Sequence, residues 1–134
     1  KDLRPFWREV FAPRYFADVQ ELFDSEGKGR WPRLSPKYAA WKAKHFPGRK
    51  LLVLNGELKK SVRWSGGRVG PGGVFVAERG FALAGTSVPH GAAHQRGVPK
   101  RNLPKRPFLP QPDVRVFGPL LRDWIVRTAK GKRS

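Results

Sequence analysis

Between Ser87 and Asp113, proline and glycine recur too often for either regular element to run through. Prolines stand at positions 89, 99, 104, 107, 110 and 112, and glycines at 91 and 97. Proline removes a backbone donor, and glycine raises the entropy cost of ordering the chain. No hydrophobic period survives, so the stretch reads as a long loop or extended arm, with its core at 98–113. Loops of this length in a compact domain are usually either functional or disordered on their own. The chain has 134 residues, enough for one domain spanning 1–134 with a single core.

Upstream of that stretch the patterns are regular. Asp2 suits a helix cap, and Pro5 is tolerated in a first turn. Pro13 removes a donor and predicts a kink or restart. Phe16, Val19, Leu22 and Phe23 then repeat at helical spacing. Ser25-Glu26-Gly27-Lys28-Gly29 closes that helix. Ser35 and Pro36 open a second, with Tyr38, Trp41 and His45 on one face, ending at Pro47-Gly48. Leu51–Leu54 reads as a short buried run, and Asn55 as the cap of a turn over 56–61. Val62–Ser65 is expected to pair with Gly73–Glu78 across a glycine-rich loop, and Phe81–Thr86 to follow a turn at Arg79-Gly80. Phe117, Leu120, Leu121, Trp124, Ile125 and Thr128 share a face of a last helix. Residues 130–134 read as a frayed basic tail.

Charge narrows the function classes. Lys and Arg number 28 against 10 Asp and Glu, a net charge of +18. Residues 1–26 carry six carboxylates and four basic residues, whereas residues 27–64 carry eleven basic residues and one carboxylate, Glu57. Such a field favours nucleic acid, an anionic membrane surface or an acidic protein. Five Trp and nine Phe make the chain too aromatic for a disordered basic tail. No cysteine is present, which excludes disulfides, thiolate metal sites and cysteine nucleophiles. No apolar run approaches the roughly 20 residues of a membrane span.

Catalytic chemistry finds little footing. His90 and His94 are four apart, but Pro89 and Gly91 count against a helix there. No carboxylate lies between Glu78 and Asp113 to complete a metal site. Beyond residue 26 the carboxylates are too scattered for a two-metal nuclease. No nucleophile elbow or phosphate-binding P-loop occurs. The expectation is a non-enzyme without metal or cofactor. Arg30-Trp31-Pro32-Arg33, Trp41-Lys42-Ala43-Lys44 and Arg63-Trp64 interleave cations with aromatics. That pattern suits single-stranded nucleic acid, but equally suits packing anchors with lysine stems laid over them. A basic nucleic-acid-binding protein is therefore the alternative reading. Phe108 and Leu109 either anchor an arm on a neighbouring subunit or enter the chain's own core.

Four segments, taken in order, resemble one family. Trp31-Pro-Arg-Leu-Ser35 with Lys37-Tyr-Ala-Ala-Trp-Lys42 resembles the "W-x-x-L-s…t…k" segment of phage virion morphogenesis proteins, the tail completion and head–tail joining proteins of Mu-like and P2-like phages. Leu54-Asn-Gly56-Glu-Leu58-Lys-Lys-Ser61 is similar to that family's "L-x-T-G-x-L-x-x-S", with Asn55 replacing Thr. Gly85-Thr86 with His94-Gln95-Arg96-Gly97 resembles its "G-T-x-x-x-Y-A-x-x-H-Q-x-G", with His90-Gly91 replacing Tyr-Ala. Leu103-Pro-Lys-Arg106-Pro-Phe108-Leu109 resembles its "P-x-R-x-F-L". Together they cover roughly residues 23–109.

The resemblance implies an α+β domain, a small antiparallel sheet flanked by helices. It implies a structural virion subunit: a homo-oligomeric ring in the neck or at the head-proximal tail end, assembled in the host cytoplasm. Its neighbours would be portal or adaptor proteins on one side and the tail tube on the other. Nonspecific contact with DNA in the channel is a further expectation, and membrane contact is not expected. Trp31, Leu34, Trp41, Leu54, Gly56 and Leu58 are expected as the packing frame. His94, Gln95, Gly97, Arg101, Arg106 and Phe108 are expected to meet partners.

Overall fold

The computed structural model describes residues 2–32, 36–45, 57–88, 91–97 and 106–133, with backbone alone at 36–39, 42, 92–94 and 131–133. Leu34, the run 51–54, Gly56 and Arg101 lie outside the described residues.

The chain opens as a helical rod: α1 (Arg4–Phe6), a π turn (Trp7–Phe11) and α2 (Ala12–Asp24). Asp2 Oδ1 accepts the Arg4 N–H at 3.0 Å. Hydrogen bonds from the Arg4 side chain and backbone hold the Asp2 carboxyl down at about pKa 2. The break expected at Pro13 is absorbed by the π turn. Its closing bond runs from the Ala12 N–H to the Trp7 carbonyl, one residue before the proline that has no N–H. The wider turn takes up the ring that would otherwise crowd the preceding carbonyls. Ala12, Tyr15, Phe16, Val19 and Phe23 form the buried face of α2, and Leu22 flanks it.

After Asp24 the chain makes one left-handed turn. Glu26, Gly27, Lys28 and Gly29 have φ of 53°, 71°, 59° and 77°. This turn delivers Trp31 to the core. A Cβ at Gly27 would overlap the Trp31 indole, so glycine is required there for space as well as for φ. Helix α3 (Pro36–His45) follows. Trp41 stacks on His45 at 4.7 Å between ring centroids. Trp41 is 44% exposed, so it stands outside the buried frame expected for it.

Helix α4 (Glu57–Ser61) leads into two antiparallel hairpins. In the first, β1 (Trp64–Ser65) pairs with β2 (Arg68–Val69). In the second, β3 (Gly73–Ala77) pairs with β4 (Ala82–Thr86), with Gly73 opposite Thr86 and Ala77 opposite Ala82. The expected pairing of 62–65 with 73–78 is corrected by this register. Gly66 and Gly67, at φ of 62° and 79°, allow a two-residue turn. The chain therefore reverses at once instead of after the longer loop. Two two-stranded sheets with flanking helices make an α+β fold.

Within the proline-rich stretch a short helix, α5 (Gly91–Arg96), replaces the expected loop. Its glycine stands at the start and Pro89 precedes it, so neither interrupts an interior turn. Gly97, at φ 77°, ends it. Helix α6 (Val114–Arg133) closes the chain and continues through the residues expected to fray. Asp113 starts it, with Oδ1 accepting the Arg115 N–H at 2.9 Å. Cations in its last turn complement the helix dipole.

One core joins these pieces. Phe6, Phe11, Phe16, Val19 and Phe23 pack with Trp31, Leu58, Val62, Phe108 and Trp124. Ring contacts at 4.8 Å (Phe11–Phe117) and 5.8 Å (Phe6–Trp124) pin α6 to the rod. The end of α4 lies directly on the second hairpin. A Cβ at Gly73 would overlap the Ser61 carbonyl oxygen and press on Val69. Gly73→Ala is expected to cost about 1–3 kcal/mol as the two elements move apart. Urea unfolding should show a lower midpoint at unchanged slope.

Candidate functional site

The four sequence segments meet in space. Ser61 is fully buried. Its Oγ shares a 2.7 Å hydrogen bond with Thr86 Oγ1, joining the second segment to the third. Thr86 Oγ1 also accepts the Val88 N–H at 3.1 Å, and the chain turns there toward α5. Gly91 sits at this junction. A Cβ on it would meet Thr86, Leu58 and Phe108.

The fourth segment is strapped to the first and the third. Gln95 Oε1 accepts the N–H groups of Phe108 (2.9 Å) and Leu109 (3.0 Å). Gln95 Nε2 donates to the Leu109 carbonyl at 3.0 Å. The primary amide presents donor and acceptor side by side, as a neighbouring strand would. Trp31 Nε1 donates to the Pro107 carbonyl at 3.1 Å, and Arg106 Nε donates to the Pro32 carbonyl at 2.9 Å. Arg106 is buried, and that burial pushes its pKa down from the usual arginine value. Phe108 is fully buried against Phe23, with ring centroids 5.5 Å apart. Tyr15 OH donates to the Pro110 carbonyl at 2.9 Å and fastens the end of the strap.

Burial also pushes the Tyr15 phenol up to about pKa 12, from an ordinary 10. The folded chain therefore holds this proton where the unfolded chain has lost it. The associated stability is complete below about pH 10 and falls as the pH rises toward 12, by on the order of 2–3 kcal/mol. Denaturant unfolding at a series of pH values should show this slope, and Tyr15→Phe should remove it.

Three of the expected partner contacts are thus engaged within the chain. Gln95, Arg106 and Phe108 hold the domain together, and the corresponding expectation of outward contact is corrected for them. Gly97 is half-buried at the end of α5. The His94 side chain and Arg101 lie outside the described residues. In the packing frame, Trp31 and Leu58 are buried as expected.

Comparison with protein-family models, curated proteins and solved structures finds no match.

The surface on offer is elsewhere. On the second hairpin Val74, Val76, Phe81 and Leu83 are exposed, with Phe81 at 54% and Leu83 at 56%. Phe75, Ala82 and Ala84 on the opposite face are more covered. The outer edge of β4 pairs with no further strand among the described residues. A strand apolar on both faces signals a second layer. The sequence carries that signal in Val74-Phe75-Val76-Ala77, where alternation alone places one face inward. No helix among the described residues is long and apolar enough to cross a membrane.

Proposed function

We propose that this chain is a structural subunit of a tailed-phage virion, of the tail completion or head–tail joining class, acting by binding protein neighbours in a closed ring. The observation that carries this reading is the meeting of all four resembling segments in one hydrogen-bonded assembly: Ser61 with Thr86, Gln95 with Phe108 and Leu109, and Trp31 with Pro107. The role of these segments in this reading is to build the frame, which leaves the outer face of β3–β4 for a neighbouring subunit. A ring needs such head-to-tail surfaces. Exposed apolar side chains beside an open strand edge suit that contact. The net charge of +18 disfavours crowding copies together unless acidic neighbours or DNA lie alongside.

Deleting the gene from the phage that encodes it tests the reading. Heads and tails should both assemble and remain unjoined. Restoring the chain with Leu83→Asp should fail to rescue joining, although the isolated variant folds. Normal infectious particles from the deletion would end the proposal.

A further inference from the structure

The exposed surface of α6 carries a concentration of positive charge. From Val114 to Arg133 there are six basic residues and one carboxylate, Asp123. None follows Asp123 to the end of the chain. The helix is fixed by its opposite side: Trp124 is buried, and Phe117, Leu120 and Leu121 pack against the core. At 100° per residue, Arg115, Arg122 and Val126 lie directly away from that anchor, in a row that bends to Lys130 about 60° round the helix. Arg127 lies about 60° beyond Lys130, at the border with the anchored side. The Arg115 and Arg122 side chains are 91% and 75% exposed, and Arg127 and Lys130 are also exposed.

Spacing and chemistry then favour one ligand class. At 1.5 Å per residue the row from Arg115 to Lys130 is about 22 Å long, comparable to about six phosphates along one strand of B-DNA. Asp113 and Asp123 hold Arg115 and Arg122 at 3.3 and 3.8 Å in exposed pairs, which are weak enough for a phosphate to displace. The row offers no Asn or Gln to read a base edge. Lys59, Lys60 and Arg63 share a cleft with Glu21 and Asp24, where Lys59 pairs with Asp24 at 2.5 Å.

We propose that the outer face of α6, through Arg115, Arg122, Arg127 and Lys130, is a sequence-independent binding surface for the DNA phosphate backbone. The proposal stands on this helix alone and does not depend on the virion reading.

The test uses the full chain and a labelled random-sequence duplex of about 25 base pairs, read by fluorescence anisotropy across a salt series. Arg115→Ala, Arg122→Ala, Arg127→Ala and Lys130→Ala together should lower affinity more than about tenfold. They should also reduce the log–log salt slope by about 3–4, at roughly 0.9 per phosphate released. A charge-matched control, Lys60→Ala with Arg63→Ala, Arg68→Ala and Arg79→Ala, should reduce the slope by less than about 1. Alanine favours helix, so α6 should persist, and circular dichroism checks this. Replacing Arg115, Arg122 and Arg127 by lysine should keep the slope. Equal losses in both quadruple variants would mean diffuse charge and overturn the proposal. So would competition by poly-L-glutamate as effective, per charge, as unlabelled duplex, since the surface would then suit an acidic protein equally well.

Discussion

Phe108→Ala should lower the melting temperature by about 10–25 °C, the effect of losing about 3–5 kcal/mol in a domain of this size. The ring is fully buried, lies 5.5 Å from Phe23, and sits where a Cβ on Gly91 would also reach. Neighbours on α2, α4 and α5 cannot all close over the space it leaves, so a cavity cost adds to the lost transfer energy. Phe108→Leu should recover part of the loss by refilling the space. A thermal melt of the isolated chain decides the matter. Were Phe108 an anchor on another subunit, the melt would stay unchanged and only assembly would suffer.

Gln95→Ala should destabilise by about 2–4 kcal/mol, although Gln95 is only half-buried. The substitution strips the acceptor from two backbone N–H groups and the donor from one carbonyl. Unmade bonds at sheltered polar groups cost about 1–3 kcal/mol each, and partial access to water lowers that sum. Amide exchange at Phe108 and Leu109 should accelerate more than exchange in α2, because the strap opens before the rod. Gln95→Glu keeps the acceptor but sets a carboxylate against the Leu109 carbonyl. Its loss should therefore be smaller than alanine's at low pH, where the acid can donate, and should grow as it ionises. Unchanged exchange in Gln95→Ala would show that the strap is held without this side chain.

Much of the frame was legible in the residues. The stripe of Phe16, Val19 and Phe23, the stop after Ser25, the helix start at Pro36 and the face of Phe117 and Trp124 all follow from local period and end signals. The cap position expected for Asp2 falls on Leu3, and Asp2 instead accepts the Arg4 N–H from one residue further out. The hairpin at 73–86 was readable to within a residue or two. The pairing of 64–65 with 68–69 departs from the expected longer loop because two successive glycines are a turn signal in their own right. Helix α5 departs from the expected loop because Gly91 stands at its end and interrupts no interior turn.

The amino-acid sequence by itself determined the helical rod, the α+β composition, the positive field and the absence of thiol chemistry, because each rests on local period or simple counting. It also carried the residues of the strap, through Trp31, Gln95, Arg106 and Phe108, but not their direction. Whether Phe108 turned inward or outward depended on whether a cavity of its size existed between α2, α4 and α5, a property of packed elements and of no single segment. Likewise, Gln95 could bind the backbone of residues 108–109 only once Gly97 had ended α5 and the chain had returned past it. The exposed row on α6 arises in the same way. Period placed Arg115, Arg122 and Lys130 on one side, and only the packing of Trp124 and Phe117 against the rod decided that this side faces water.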